Sequence, residues 1–150
     1  MIYTYSFESP IGTLNLSADE NAILRLGFGA GDADNPNGII LDAVQQLNEY
    51  FDGRRKGFDL PLAPEGTDFQ HRVWAALQDI PYGQTRTYGE LAAAIGNPKA
   101  SRAVGMANNR NPIPVIIPCH RVIGADGTLT GYAGGLAAKE ILLGIEHKNR

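Results

Sequence analysis

The stretch YGELAAAIGNPKASRAVGMANN, residues 88–109, gives the clearest indication of the architecture of the second half of this chain. Thr87 stands just before it, and Glu90 follows three residues later, which is the capping-box spacing at the start of a helix. A Gly-Asn-Pro turn at residues 96–98 breaks this helix, and residues 99–109 resume it. Two short helices joined by a glycine-containing turn predict a helix-turn-helix. The residues expected to face inward are Leu91, Ala92, Ile95, Ala103 and Val104.

The second of these helices carries almost no side-chain bulk around Arg102. Its backbone could therefore approach a nucleic-acid groove closely, while Arg102 reaches a phosphate or enters a base stack. Small residues also permit purely structural helix packing, so both interpretations stay open on this pattern alone. The small residues are Ala100, Ser101, Ala103, Gly105 and Ala107.

Charge is distributed unevenly along a chain whose net charge is -3. Residues 1–66 carry four basic and ten acidic side chains, whereas residues 67–150 carry nine basic and six acidic ones. Residues 86–121 contain five basic residues and one acidic residue, Glu90. A local basic stretch on an acidic protein favours a phosphate-binding face, although an ordinary solvated surface has the same composition.

The pattern before residue 67 is that of a small antiparallel sheet with one helix. IYTYSF and TLNLSA alternate apolar and polar residues around a Pro- and Gly-containing turn, and AILRLGF reads as a third strand. Apolar residues then recur at helical spacing from Ile39 to Phe51. The fold class is therefore α+β, with residues 1–66 as one unit, including a Pro-rich connection, and residues 67–150 as the other.

The second unit opens with another capping box, in which Thr67 is followed by Gln70. The helix that follows carries an apolar stripe formed by Phe69, Val73, Trp74 and Leu77, and Pro81 is expected to end it.

The N-terminus has no signal-peptide pattern and no run is apolar enough to span a membrane, so a cytoplasmic location is expected. One cysteine excludes an internal disulfide and a cysteine-based zinc cage.

That cysteine, Cys119, lies within PVIIPCHRVIG, residues 114–124. A lone cysteine behind an apolar run is most often a small buried side chain, and a reactive one needs a base. His120 is the nearest base, but neighbours in an extended segment point to opposite faces, so a bridging water could be needed. Glu146 and Glu140 on the C-terminal helical stretch are both candidates to orient the imidazole.

NPIPVIIPCHRVIG followed by GTLTGYAGGLAAKEILL resembles the active-site region of the methylated-DNA–protein-cysteine methyltransferases, the O6-alkylguanine-DNA alkyltransferase family. PCHRV is the family's signature, and residues 69–112 are similar to the family in order and spacing. The resemblance covers residues 67–147 well and is only general before them. It implies a ribonuclease H-like N-terminal subdomain followed by a winged helix-turn-helix-like domain.

The resemblance also implies a function, which is direct DNA repair. Cys119 would take a methyl group irreversibly from O6 of guanine, and from O4 of thymine, in a single turnover after the nucleotide has rotated out of the duplex. No metal or other cofactor is implied. The expected partner is alkylated double-stranded DNA, bound by a monomer.

Residue roles follow from the same resemblance. His120 would act through a water as base for the thiol, Glu146 would hold the imidazole, and Asn111 would tie the turn before the cysteine. Tyr88 would donate toward the departing guanine, and Arg102 would enter the duplex.

Further DNA contacts are expected at Thr87, Ala100, Ser101 and Arg110. The wall of the base pocket is expected at Tyr132, Ala133, Gly134 and Gly135, with Ala133 in place of the serine of some relatives. Arg121 is assigned to the scaffold.

Two other classes of protein fit parts of the pattern. One is a DNA-binding relative that senses alkylated bases without repairing them, but such relatives lack the acceptor cysteine. The other is a cysteine hydrolase with Cys119 and His120 as a dyad, which would turn over many times and would not need a helix-turn-helix.

Overall fold

Three strands form an antiparallel meander at the N-terminus in the computed structural model of the chain, which describes residues 1–150. They are β1 (Tyr3–Ser9), β2 (Gly12–Ala18) and β3 (Ile23–Phe28). Helix α1 (Gly38–Phe51) packs on this sheet, and the Asn37 side chain caps its start by accepting from the Ile40 N–H. The sheet and helix predicted for this half are confirmed.

The second half is mainly helical. Its elements are α2 (Asp68–Gln78), β4 (Arg86–Thr87), α3 (Tyr88–Ala94), α4 (Ser101–Asn109), a 3₁₀ turn at Cys119–Arg121, β5 (Val122–Ile123) and α5 (Leu136–Asn149). Both predicted capping boxes form: Thr67 and Gln70 exchange hydrogen bonds at the start of α2, as do Thr87 and Glu90 at the start of α3. β4 and β5 pair in parallel and link α3 to the segment that follows the cysteine.

The helix-turn-helix differs from its prediction in two details. The turn spans six residues, 95–100, because Gly96 adopts a left-handed conformation and Pro98 disfavours helical backbone before it; α4 thus begins at Ser101. Ala103 is exposed, so its predicted inward orientation is wrong. The buried face of α4 is formed by Val104, Ala107 and Asn108, and a helix made of small residues gives little apolar signal to set its orientation.

A single hydrophobic core runs through both halves, from Leu14 and Leu16 of the sheet to Trp74 and Ile117. Backbone hydrogen bonds also join them. β3 pairs with the connecting segment through Ile23 N–H to Pro61 O, at 2.8 Å, and Leu26 N–H donates to Pro112 O at 2.9 Å. Since Pro112 begins the segment leading to the cysteine, the N-terminal sheet helps to place that segment. None of the helices has the length and apolar character needed to cross a bilayer.

Candidate active site

The segment before Cys119 is held by the side chain of Asn111. Its amide donates to Ile117 O at 2.8 Å, and its carbonyl accepts from Ile113 N–H at 3.0 Å. Within this clamp Val115 has φ of 72°, a left-handed conformation that is strained for a β-branched residue. Buried packing and the Asn111 clamp together hold the turn in this shape, which leads directly into Cys119.

Cys119 begins the 3₁₀ turn and is 5% exposed. Burial raises the pKa of its thiol to about 11, although the nearby Asn111 amide and the positive charge of Lys139 act in the opposite direction. A thiol with this pKa is almost wholly protonated at neutral pH. The resting cysteine is therefore no stronger a nucleophile than an ordinary thiol, and it needs a base.

His120 is completely buried and lies against the carboxylate of Glu146 on α5. Its Nε2 is 2.6 Å from Glu146 Oε2. Glu140, the other carboxylate that sequence spacing offered, is exposed on the same helix. The structure therefore brings together His120 and Glu146, and it leaves Glu140 outside the site.

Glu146 accepts hydrogen bonds from four residues. The Arg121 guanidinium binds both of its oxygens, at 2.8 and 3.0 Å, and the Gly83 N–H reaches Oε1 at 3.2 Å. Tyr50 and His120 share Oε2. Burial on its own would raise the pKa of Glu146, but the His120, Arg121 and Tyr50 interactions outweigh it and lower the pKa to about 2. Glu146 is therefore a carboxylate at any physiological pH.

This ionisation fixes the tautomer of His120. A carboxylate can only accept, so Nε2 must carry the proton that lies between it and Glu146. Burial lowers the pKa of His120, so the ring is neutral and its Nδ1 is an acceptor. That Nδ1 is buried and has no hydrogen-bond partner in the protein, and no direct hydrogen bond joins it to Cys119. A free, oriented base therefore lies next in the chain to the only thiol.

The loop between β5 and α5 is anchored by Lys139 and Tyr88. The Lys139 Nζ is buried and donates to Val122 O at 2.6 Å and to Thr130 O at 2.8 Å. The Tyr88 hydroxyl is 2.8 Å from Thr130 Oγ1. When Thr130 is the donor in this pair, the Tyr88 O–H is free to donate elsewhere. The loop is therefore fixed at Thr130, just before the predicted pocket wall.

The predicted pocket wall lies against strand β3. The Tyr132 hydroxyl is buried without a partner, and burial raises its pKa well above the ordinary value. The ring of Tyr132 meets Phe28 edge to face, with centroids 5.7 Å apart. Ala133 and Gly135 are exposed, and Gly134 is half-buried beneath the Phe28 ring.

The residues expected to contact DNA lie on the outer side of the helix-turn-helix. Arg102 and Arg110 are exposed, and their side chains make no hydrogen bond or ion pair within the chain, while Ala100 and Ser101 are half-buried at the start of α4. Thr87 is half-buried, and its hydroxyl is occupied in the α3 capping box. Met106 is 56% exposed on the same helix, one turn after Arg102.

Sequence reasoning missed two contributors to this site and named a third, Arg121, only as scaffold. Tyr50 comes from the N-terminal half, Lys139 anchors the loop, and Arg121 forms the ion pair of Glu146. The signal for Tyr50 was a phenol on the apolar face of α1, because a buried hydroxyl requires a partner. The signal for Lys139 was a lysine beside Ala138 on the buried side of α5.

Two family models match the chain. Residues 1–64 match the ribonuclease-like domain of 6-O-methylguanine DNA methyltransferase, and residues 68–148 match the DNA binding domain of the same family. The methylated-DNA–protein-cysteine methyltransferase of Methanosarcina acetivorans is 56% identical, over 97% of this chain and 98% of that protein.

Solved structures of the same family are similar to this chain over nearly its whole length. The crystal structure of the Mycobacterium tuberculosis O6-methylguanine methyltransferase superposes with a TM-score of 0.91 at 46% identity, covering all of this chain and 95% of that one. A structure of OGT from the same bacterium in complex with DNA also gives 0.91, at 48% identity, covering 98% of this chain and 94% of that one.

Proposed function

Because the chain belongs to the 6-O-methylguanine DNA methyltransferase family, which repairs O6-methylguanine directly by moving the methyl group to a cysteine, we propose that Cys119 is the acceptor here. The observation that carries this assignment is the neutral His120, held by the Glu146 carboxylate with its Nδ1 free, next to the only cysteine. The fold and family identified from the sequence are confirmed.

The transfer starts with removal of the thiol proton. At pH 7 a thiol with a pKa of about 11 is ionised in only about one molecule in ten thousand, so the base must act as the reaction proceeds. His120 Nδ1 takes the proton through a bridging water, and Glu146 stabilises the imidazolium that forms. Burial of His120 and Glu146 makes this stabilisation stronger than it would be in water.

The Cys119 sulfur then attacks the methyl carbon in line with its bond to O6. The S–C bond forms while the C–O6 bond breaks, and the electron pair stays on the guanine. The guanine takes up a proton from water, and His120 returns the thiol proton to water, so the protons balance. Tyr88 donates a hydrogen bond toward the base at this stage, while the Thr130 hydroxyl donates a hydrogen bond to the Tyr88 oxygen. The product is a thioether, a poor leaving group, so each molecule acts once.

Reaction at O6 requires the base to leave the stack. Rotating a nucleotide out of the duplex costs a few kcal/mol, which phosphate contacts and an inserted side chain offset. We assign insertion to Arg102 and phosphate or groove contacts to Thr87, Ala100, Ser101 and Arg110. The wall of the pocket that receives the base is assigned to Tyr132, Ala133, Gly134 and Gly135.

We also propose a second substrate, the methyl ether at O4 of thymine, because it has the same chemistry as the ether at O6 of guanine. Residues 1–66 support the site and residues 67–150 carry DNA binding and transfer. We propose that the chain acts as a monomer on alkylated double-stranded DNA. A thiol that must stay reduced supports a cytoplasmic location.

Mass spectrometry after incubation with an O6-methylguanine duplex tests the assignment. The expected result is one added methyl group, located on the peptide that contains Cys119, with no further turnover. Cys119→Ser should abolish transfer and leave duplex binding intact. An unmodified cysteine, or catalytic turnover of an ester substrate as in a cysteine hydrolase, would contradict it.

A further inference from the structure

We propose that Tyr50, on helix α1 of the N-terminal half, is a positioning residue for methyl transfer, whose hydroxyl holds Glu146 and keeps His120 as a neutral base. This inference rests on the proposed function and adds a residue to it. No other residue of positions 1–66 forms a hydrogen bond with His120, Arg121 or Glu146.

Tyr50 is completely buried, and its hydroxyl lies between the two active-site partners. The O–H donates to Glu146 Oε2 at 2.5 Å, the same oxygen that lies 2.6 Å from His120 Nε2. The phenol oxygen is 3.4 Å from His120 Nε2, which is too long for a strong hydrogen bond. The contact with the carboxylate therefore dominates, and Tyr50 acts on His120 through Glu146.

The phenol is fixed in this place by aromatic packing. Its ring lies against Phe51, Phe58 and Tyr82, with centroid distances of 5.6, 5.4 and 6.1 Å. These contacts come from α1, from the connecting segment and from the turn after α2. Because the ring is enclosed on several sides, the hydroxyl has one place to donate, which is Glu146.

Donation by Tyr50 weakens the pull of Glu146 on the His120 proton. Burial lowers the pKa of His120 and Glu146 raises it, while Arg121 and Lys139 add to the lowering. The other titratable groups near the pair are Cys119, Tyr82 and Tyr132, all uncharged at neutral pH because burial raises the pKa of each. With one donor fewer, Glu146 would hold an imidazolium more tightly, and the pKa of His120 would rise.

Tyr50→Phe removes this hydroxyl and keeps the ring. Since protonated His120 cannot accept the thiol proton, the transfer rate of the variant should fall about tenfold at pH 6 and much less at pH 8, the size of loss expected for one hydrogen bond to a charged group. Tyr82→Phe is the matched control, because it removes a neighbouring buried hydroxyl that has no partner. Its pH–rate profile should follow that of the wild type.

The readouts are the single-turnover rate on an O6-methylguanine duplex and the ¹⁵N chemical shifts of the His120 ring, measured from pH 5 to 9. The expected ring spectra show proton on Nε2 in the wild type and a higher pKa in Tyr50→Phe. A variant with the wild-type profile, or one slowed equally at every pH, would overturn the role of Tyr50. Absence of methyl on Cys119 in the wild type would instead refute the proposed function, and the ring spectra would still report on Tyr50.

Discussion

The ring of Phe28 on strand β3 fills the space that a Cβ atom on Gly134 would need. The same ring packs edge to face on Tyr132, two residues earlier in the loop. Strand β3 therefore sets how closely the proposed pocket wall approaches the rest of the site. A glycine is required at position 134 for this contact, although its backbone does not adopt a left-handed conformation.

Gly134→Ala should slow methyl transfer about tenfold and lower stability by about 1–3 kcal/mol, the usual cost of overpacking. The new methyl group would push either the loop or the Phe28 ring away, and the pocket wall would move. Single-turnover rates and urea unfolding measure the two effects.

Two further variants control this result. Gly131→Ala adds a methyl group in the same loop, and its nearest neighbours are atoms of the Asn109 side chain at 3.5 Å or more, so the stability of this variant should be that of the wild type. Phe28→Leu combined with Gly134→Ala should recover much of the lost rate. A Gly134→Ala protein as fast and as stable as the wild type would show that Phe28 does not set the wall.

Stability should depend on pH through Glu146. Its pKa is about 2 in the folded chain against 4.5 as the ordinary value, so its contribution is present above about pH 4.5 and is lost as the pH falls through 2. The difference corresponds to about 3 kcal/mol. Urea unfolding at a series of pH values between 6 and 2 measures it.

Glu146→Gln should remove this part of the pH dependence and destabilise the protein at pH 7 by about 3–5 kcal/mol, because Arg121 is left buried without a counter-charge. Glu140→Gln changes an exposed carboxylate on the same helix and should keep the wild-type pH dependence. Equal acid sensitivity in all three proteins would contradict the assignment.

The two capping boxes allow the structural and DNA-binding roles of Thr87 to be separated. Thr87→Ala and Thr67→Ala each remove a side-chain acceptor at a helix start and should each cost about 1 kcal/mol of stability. Only Thr87→Ala should also weaken duplex binding, measured by titration at several salt concentrations. Equal DNA affinities would leave Thr87 with a capping role alone.

Arg102→Ala should slow transfer from duplex DNA by about tenfold or more and leave transfer from free O6-methylguanine base unchanged, because only the duplex must be opened. Lys99→Ala removes an exposed charge in the adjoining turn. This variant should bind duplex DNA slightly more weakly, and its DNA affinity should depend less steeply on salt concentration. Wild-type rates on the duplex for Arg102→Ala would show that another side chain enters the stack.

Local signals predicted the local structure well. Thr67 with Gln70 and Thr87 with Glu90 predicted two helix starts, because a capping box is complete within four residues. Alternating apolar residues likewise predicted the meander. The orientation of Ala103 was wrong since its helix has few large apolar residues to mark its inner face.

Interactions between distant segments could not be predicted in the same way. Tyr50 and Glu146 are separated by 96 positions, and Arg121 reaches Glu146 only after α5 has folded back on the turn. The resemblance supplied Glu146 as the partner of His120, where spacing alone left Glu140 equally eligible. Tertiary packing brings the Tyr50 phenol, the Arg121 guanidinium and the Glu146 carboxylate together and excludes water around them. No local sequence pattern predicts such a contact.

Under the proposed mechanism each molecule transfers one methyl group, so the Cys119 thiol must remain unreacted until that transfer. Peroxide and small electrophiles consume thiolates, whereas Cys119 waits 5% exposed and protonated, with its pKa at about 11. We therefore expect the resting thiol to resist oxidation and other side reactions. Under the proposed single transfer per molecule, this low reactivity preserves the one sulfur on which that transfer depends.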